Sequence, residues 1–298
     1  MKILLFGKNG QIGWELQRSL APLGEIVALD RHSTELCGDL ANLAGISATV
    51  HQVRPDVIIN AAAYTAVDKA ESDVATAYAV NAEAPGVLAE AASAVGAWLV
   101  HYSTDYVFDG SGSKPWAESD PTGPLNVYGQ TKLEGEQRIA ARCATHLILR
   151  TSWVYSARGG NFAKTMLRLG RERDRLSVID DQFGAPTGAD LLADLTAHMV
   201  RSALPGSAGD LAGIYHAAAA GETSWHGYAR FVVDFASKSG VDLKASPSTM
   251  DPVPTTAFPT PATRPHNSRL NTAKLQASFD LQLPAWQQGV ARMLAEII

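Results

Sequence analysis

A tyrosine and a lysine four residues apart give the clearest sign of acid–base chemistry in this sequence. Tyr128 and Lys132 stand near the start of a predicted helix, where positions i and i+4 share one face. A nearby ammonium favours the phenolate and so lowers the tyrosine pKa from about 10. The pair therefore predicts a proton donor or acceptor, although the same spacing also occurs by chance on solvated helices.

Two hydroxyl side chains stand where a sheet would present them to a ligand. Ser103 and Thr104 lie near the carboxyl end of the predicted strand Trp98–Val107. Ligands of open parallel sheets bind outside the carboxyl ends of the strands, so these hydroxyls could polarise a carbonyl there. The alternative is that they only cap the end of the strand.

A glycine-rich turn predicts a dinucleotide site. Gly7-Lys8-Asn9-Gly10-Gln11-Ile12-Gly13 joins the first predicted strand to the first predicted helix. Gly7, Gly10 and Gly13 would let the backbone approach a pyrophosphate at the helix N-terminus. Asp30 ends the next strand and is placed to bind an adenosine ribose, while Arg31 could accommodate a 2′-phosphate, so NADH and NADPH both stay open.

Alternating strands and helices in the first half must position these groups. The predicted strands are Lys2–Phe6, Glu25–Asp30, Val57–Ala63, Trp98–Val107 and His146–Tyr155. The predicted helices are Gln11–Leu20, Ala75–Ala97 and Tyr128–Arg142. Continuous apolar strands alternating with helices predict an α/β fold with a doubly wound parallel sheet.

The second half is less regular. Its predicted helices and strands are Asn161–Arg173, Leu176–Ile179, Ala189–Ala203, Ile214–Ala217 and Ser224–Ser239. Six of the 15 prolines fall between Pro247 and Pro265, which predicts a long loop without regular structure. We expect residues 1–152 to form a dinucleotide-binding domain and 153–298 to form mostly a smaller substrate-binding lobe, part of which returns to the first sheet.

Composition excludes several classes of protein. A length of 298 residues favours about two domains, and a net charge of −5 argues against nucleic acid or an anionic membrane as partner. Two cysteines without a CxxC pair predict neither a disulfide framework nor a thiolate zinc site. The sequence has too few apolar residues at its start for a signal peptide and lacks a membrane-spanning stretch. We expect a cytoplasmic protein.

These motifs in this order resemble the extended short-chain dehydrogenase/reductase family. The glycine motif, Asn60-Ala61-Ala62, Ser103-Thr104 and the Tyr128/Lys132 pair follow its pattern. The resemblance extends over nearly the whole chain through further segments: 4–8, 11–16, 66–71, 103–108, 150–155, 181–187 and 264–271. It is strongest to members that reduce the 4-keto group of a dTDP-linked 6-deoxy sugar.

The resemblance implies a reaction and a role for each catalytic residue. The expected substrate is dTDP-4-dehydro-6-deoxy-L-mannose, reduced with NADPH or NADH to dTDP-L-rhamnose for cell-surface polysaccharide. Tyr128 would donate a proton to the C4 oxygen, and Thr104 would hydrogen-bond the carbonyl. Lys132 would hold the nicotinamide ribose and lower the Tyr128 pKa.

The same resemblance implies binding residues, a partner and a metal. The cofactor would be lined, beyond the glycine loop, Asp30 and Arg31, by Asp39, Leu40, Ala63, Tyr64, Thr65, Tyr128 and Lys132. The sugar would face Thr104, Asp105 and Trp153, and its diphosphate would need cations such as Arg264 or Arg269. Some of these reductases are magnesium-bridged homodimers, and Glu15, Asp190 and Glu296 are the corresponding candidate ligands.

Two other functions stay open from the sequence. One is a different nucleotide-sugar enzyme, an epimerase or a 4,6-dehydratase, on the same scaffold. The other is a non-catalytic dinucleotide-binding regulatory subunit. Dehydratases of this family carry Thr-Asp-Glu where this chain has Thr104-Asp105-Tyr106, and the presence of Thr104, Tyr128 and Lys132 favours a catalyst over a binding subunit.

Overall fold

The computed structural model describes residues 1–204 and 211–298. The strands are β1 (Lys2–Phe6), β2 (Glu25–Leu29), β3 (Val57–Asn60), β4 (Trp98–Thr104), β5 (His146–Thr151), β6 (Val154–Tyr155), β7 (Leu176–Ile179), β8 (Phe183–Gly184), β9 (Thr187–Gly188), β10 (Gly213–His216), β11 (Thr223–Ser224) and β12 (Met250–Val253). The helices are α1 (Gln11–Leu20), α2 (Leu43–Val53), α3 (Val67–Ala70), α4 (Val74–Tyr78), α5 (Ala84–Val95), α6 (Val127–Arg142), α7 (Phe162–Glu172), α8 (Ala189–Ala203), α9 (Trp225–Lys238), α10 (Ala273–Phe279) and α11 (Trp286–Ile297). Among these described residues, no helix is both long enough and apolar enough to cross a membrane.

A six-stranded parallel sheet forms the centre of the molecule. Its order is β10-β5-β4-β3-β1-β2. Strand β2 is added on one side of β1, and β3, β4 and β5 are added in turn on the other side, so the strand order reverses between β1 and β3. Such a reversal opens a crevice at the carboxyl ends of the strands. The predicted doubly wound α/β fold is confirmed.

Helices cover both faces of this sheet, which explains why its strands are almost continuously apolar. On one face, Leu16 of α1 and Met199 of α8 pack in the same buried cluster as Leu5 of β1. On the other face, helices α2 and α5 supply Val50 and Leu88 to a second cluster. The catalytic motifs therefore stand at the edge of a rigid, two-sided core.

Part of the chain after residue 153 builds a third apolar cluster, and another part returns to the first sheet. Helices α7, α9 and α11 pack around Tyr228, which is almost completely buried. Strand β10 instead pairs in parallel with β5, and α8 packs on α1. Residues on both sides of position 153 thus contribute to the central sheet.

The proline-rich segment contains regular structure, so the prediction of an irregular loop across 247–265 is wrong. Strand β12 pairs in parallel with β7, with Met250 opposite Leu176 and Val253 opposite Ile179. Pro252 is tolerated because this ladder has only two strands, and a proline can face away from the partner at such an edge. The prolines in and around β12 hid the apolar pattern by which a strand is recognised in a sequence.

Two other predicted elements are divided in the structure. The predicted helix Ala75–Ala97 is α4, a π-helical turn (Ala79–Glu83) and α5. The predicted strand His146–Tyr155 is β5 and β6, because Trp153 between them has a φ of 50°. Both breaks lie beside the cleft described below, and π turns and left-handed residues often mark such sites.

Candidate active site

The glycine loop is shaped by close backbone contacts. Gly7 has a φ of 91°, and a Cβ there would lie 2.8 Å from the Ala62 nitrogen. A Cβ on Gly13 would lie 2.0 Å from the Gly7 oxygen, so α1 starts directly against the loop. Gly10 is the N-cap and has no side chain, which leaves the first N–H groups of α1 for an anion. This cradle fits the pyrophosphate of a dinucleotide.

Asp30 and Arg31 follow β2 at the rim of the same cleft. The Asp30 carboxylate accepts from Asn9 Nδ2 and from the His32 backbone N–H at 2.9 Å. The His32 hydrogen bond lowers the pKa of Asp30 below its usual range, so the carboxylate is ionised at neutral pH. Arg31 is exposed and its Nε donates to His32 Nε2 at 3.0 Å. A carboxylate that could bind a ribose and an exposed guanidinium are therefore both present at this rim.

Tyr128 is placed by the start of α6. Asn126 caps this helix by accepting from the Gly129 N–H at 2.8 Å. A Cβ on Gly129 would lie 2.2 Å from the backbone carbonyl oxygen of Tyr106. Only glycine therefore allows α6 to approach the turn after β4 this closely. The Tyr106 and Tyr128 rings meet edge to face with centroids 5.6 Å apart. Thr104 and Tyr128 are thereby brought to the same part of the cleft.

The pKa of Tyr128 differs from the sequence-based expectation that Lys132 lowers it. Burial raises the pKa of Tyr128 to about 12, and a hydrogen bond with Thr104 acts in the opposite direction. Nζ of Lys132 is engaged elsewhere: it donates to the Tyr102 carbonyl at 2.5 Å and lies 3.1 Å from His101 Nε2. Tyr128 is therefore a neutral phenol at neutral pH, the form that can donate a proton.

Asp105 adds a buried carboxyl group beside Thr104. It is 2% exposed, and its Oδ1 accepts from Thr104 Oγ1 at 3.1 Å. Burial raises the pKa of Asp105 to about 6, against hydrogen bonds with Ser268 and Thr104. This carboxyl can change its protonation state close to neutral pH.

Trp153 and Trp225 form a stacked aromatic pair that also lines the cleft. The rings stack with centroids 3.7 Å apart and planes 15° apart. Trp153 has the left-handed φ noted above, which is strained for a bulky residue, and a Cβ on Gly184 would lie 2.8 Å from its Cε2. The surrounding chain thus holds Trp153 in one unusual position.

These groups line one cleft of about 1090 Å³. The predicted site residues along it are Gly7, Gly10, Gln11, Ile12, Asp30, Arg31, Asp39, Leu40, Ala63, Tyr64, Thr65, Thr104, Asp105, Tyr128, Lys132 and Trp153. Sequence reasoning missed Trp225 and Lys69, which also line it. Neither has a local signal, because only the packing of distant elements brings α9 and α3 to the cleft.

The predicted cofactor loop at Tyr64 depends on the π turn. Asn81 lies in that turn and makes two hydrogen bonds with the Tyr64 backbone, from the Tyr64 N–H at 2.9 Å and to its carbonyl at 3.0 Å. A Cβ on Gly135 of α6 would lie 2.2 Å from the backbone carbonyl oxygen of Asn81. The extra residue of the π turn thus lets Asn81 reach the cleft wall while α6 packs behind it.

Comparison with known proteins decides the family. The family model described as the RmlD substrate binding domain matches residues 1–298. The dTDP-4-dehydrorhamnose reductase of Escherichia coli K12 is 60% identical over 297 residues, covering 100% of this chain and 98% of that relative. The chain belongs to the dTDP-4-dehydrorhamnose reductase family.

Solved structures of the reductase family have the same fold. The dTDP-4-dehydrorhamnose reductase of Clostridium acetobutylicum superposes with a TM-score of 0.89 at 35% identity, covering 100% of this chain and 99% of that one. The enzyme of Bacillus anthracis, solved in complex with NADP, gives a TM-score of 0.86 at 35% identity over 99% of each chain. Both solved proteins are named dTDP-4-dehydrorhamnose reductase.

Three predicted binding residues of the family pattern lie away from the cleft lining. Gly13 is buried under the glycine loop and acts through the close contact with Gly7. Arg264 makes a two-point ion pair with Asp68, at 2.9 and 2.8 Å. Arg269 donates to Glu222 at 2.6 Å and packs over the Phe183 ring. Both arginines therefore already have carboxylate partners.

The three carboxylates expected to hold magnesium lie together in a separate pocket of about 280 Å³. Glu15 pairs with Arg18 at 3.3 Å, and Arg292 lies 3.3 Å from Asp190 and 3.6 Å from Glu296. Each of the three carboxylates therefore has a guanidinium neighbour. Within residues 1–204 and 211–298 of a single chain, no three side chains are arranged to hold a metal ion. A magnesium ion that bridges two subunits at this pocket stays a prediction.

Proposed function

We propose that this protein reduces dTDP-4-dehydro-6-deoxy-L-mannose (dTDP-4-dehydrorhamnose) to dTDP-L-rhamnose with NADPH or NADH. This is the last step in making dTDP-L-rhamnose for cell-surface polysaccharide. The observation that carries the proposal is the meeting of Thr104, Tyr128 and Lys132 in one cleft with the glycine loop. Full-length identity of 60% to a dTDP-4-dehydrorhamnose reductase supports the choice of substrate.

The first half of the chain would hold the cofactor. The N-terminus of α1, where Gly7 and Gly10 keep the backbone open, would bind the pyrophosphate. Asp30 would bind the adenosine ribose, and the exposed guanidinium of Arg31 would pair with a 2′-phosphate. When bound, the reduced nicotinamide would supply the hydride, and Lys132 would orient its ribose.

Tyr128 supplies the proton to the substrate. Its hydroxyl is a neutral phenol at working pH and donates to the C4 oxygen as negative charge develops there. The Thr104 hydroxyl, turned from Asp105 to the substrate, donates a hydrogen bond to the same oxygen and lowers the energy of the transition state. Asp105 and Trp153, which line the same cleft, bind the sugar.

The division of labour along the chain belongs to the same proposal. Residues 1–152 bind the dinucleotide, and most of 153–298, through Trp153 and Trp225, binds the sugar nucleotide. A homodimer and a cytoplasmic location stay predictions. Cys37 and Cys143 are both free, which is compatible with a reducing compartment. Light scattering of the purified protein would measure the oligomeric state.

The decisive experiment follows NADPH absorbance with the 4-keto substrate and identifies the product. We expect one NADPH to be oxidised for each dTDP-L-rhamnose formed. A non-catalytic binding subunit would bind NADPH but oxidise none.

The same assay with dTDP-glucose separates a reductase from a 4,6-dehydratase. A dehydratase needs an acid that protonates the leaving hydroxyl at C6. The dehydratase pattern has glutamate at the position of Tyr106, and burial raises the pKa of Tyr106 above its usual range, so this phenol is a poor acid. We expect no 4-keto-6-deoxy product from dTDP-glucose. Its appearance without consumption of NADPH would overturn the proposal.

A further inference from the structure

A buried histidine that does not line the cleft lies directly behind Lys132. His101 is on β4, has no exposed surface, and points from the sheet toward α6. Its Nε2 lies 3.1 Å from Lys132 Nζ, and its Nδ1 lies 3.1 Å from Asn60 Nδ2 on the adjacent strand β3. The three side chains form a chain of contacts from β3 to the cleft.

The backbone fixes the direction of hydrogen bonding in this chain. Asn60 Oδ1 accepts from the Ala62 N–H at 3.2 Å, which orients the amide so that Nδ2 donates to His101 Nδ1. A neutral imidazole then carries its proton on Nε2, facing Lys132 Nζ. A neutral amine at Nζ accepts a hydrogen bond from this N–H while it donates one to the Tyr102 carbonyl. An ammonium at Nζ would instead place two donors face to face.

The other charged groups around Lys132 balance one another. Glu136 lies one turn along α6 and makes a two-point ion pair with Arg150 of β5, with contacts of 3.0 and 2.6 Å. It also accepts a hydrogen bond from Ser103. Tyr128 and the buried Asp105 line the same cleft as Lys132.

The electrostatics agree with this geometry. Burial lowers the pKa of Lys132 to about 8, with Glu136 acting in the opposite direction. Burial and the Lys132 charge together hold the pKa of His101 well below its usual range, so the imidazole is neutral. Lys132 therefore changes charge close to physiological pH, and the group that faces its nitrogen affects where that happens.

We propose that His101 is a positioning residue for Lys132: through the Asn60–His101–Lys132 chain it fixes the place of Nζ and favours the amine over the ammonium. Because Lys132 holds the nicotinamide ribose, His101 then sets the upper pH limit of cofactor binding and turnover. This inference rests on the proposed function only in requiring that the cleft binds a reduced nicotinamide cofactor.

The test compares two substitutions that both remove the Nε2–H donor. In His101→Gln, the terminal amide can turn its oxygen to accept from an ammonium, so the Lys132 pKa rises most. In His101→Phe, the ring keeps its shape but loses the N–H that favours the amine, so the Lys132 pKa rises by less. NADPH affinity, measured by cofactor fluorescence from pH 6 to 10, should weaken about one pH unit later in His101→Gln than in the wild type, and His101→Phe should lie between the two.

His216→Gln is the matched control. His216 is also fully buried in the central sheet, but it is on β10, two strands from β4, and contacts the Trp116 carbonyl. This variant should keep the wild-type midpoint. If a His101 variant does not fold, as judged by thermal unfolding, Asn60→Ala serves instead: it frees His101 Nδ1 to carry the proton and should move the midpoint upward.

The outcomes separate this inference from the proposed function. Upward shifts of the NADPH midpoint, larger in His101→Gln than in His101→Phe and repeated in the pH profile of kcat/KM, support the role of His101. Equal midpoints in all variants, or a downward shift in either His101 variant, overturn it. NADPH binding without reduction of the 4-keto sugar by the wild-type protein would instead overturn the proposed function, while the binding midpoints would still test His101.

Discussion

At the scale of single residues, the phenol of Tyr128 is the group on which we propose that reduction depends. Tyr128→Phe removes one oxygen and keeps the ring that meets Tyr106 edge to face, so the fold should persist. Loss of a positioned general acid typically costs about 10²- to 10⁴-fold in rate. We expect such a fall in kcat with NADPH affinity unchanged, measured by steady-state kinetics and cofactor fluorescence. Wild-type turnover in this variant would contradict the assignment.

Arg31 is the residue that we expect to distinguish the two cofactors. Its exposed guanidinium can pair with a 2′-phosphate, which only NADPH carries. We expect both cofactors to support turnover, and Arg31→Ala to raise the KM for NADPH more than the KM for NADH. An equal loss for both cofactors would mean that Arg31 does not contact the phosphate.

At the scale of elements, the short connection between β5 and β6 places Trp153, the proposed sugar-binding residue, in the cleft. Gly184 of β8 lies against the Trp153 ring, and the methyl group of Gly184→Ala would push that ring off Trp225. Overpacking of this kind costs about 1–3 kcal/mol. We expect the KM for the sugar nucleotide to rise about tenfold while NADPH affinity stays constant. Gly160→Ala is the matched control, because a Cβ there has open space around it.

At the scale of the whole molecule, the Arg264–Asp68 ion pair joins the proline-rich segment to α3 beside the cleft. Because Asp68 is substantially exposed, such a pair is worth about 1 kcal/mol or less. If it acts as a unit that holds the segment, Arg264→Gln and Asp68→Asn should raise the KM for the sugar nucleotide equally, and the double variant should add nothing. A larger effect of Arg264→Gln alone would mean that Arg264 contacts the diphosphate.

The sequence by itself determined the parts of this protein that depend on local chemistry. The helix predicted at Gln11–Leu20 and the strand at Lys2–Phe6 have the same bounds in the structure. The glycine loop and the Tyr128/Lys132 spacing were readable because turn geometry and helical periodicity are properties of a few consecutive residues. The order of these motifs was enough to predict the sheet and the cleft at its edge.

Tertiary structure alone decided which distant groups meet. It stacked Trp153 on Trp225, paired Arg264 with Asp68, and set His101 behind Lys132. It also gave Lys132 partners other than Tyr128, so that burial rather than a neighbouring ammonium dominates the tyrosine pKa. These contacts arise from the packing of elements far apart in the chain, and the cost of burying a charge depends on every group around it. The spacing of residues within a motif therefore determines neither which distant groups meet nor the pKa that results.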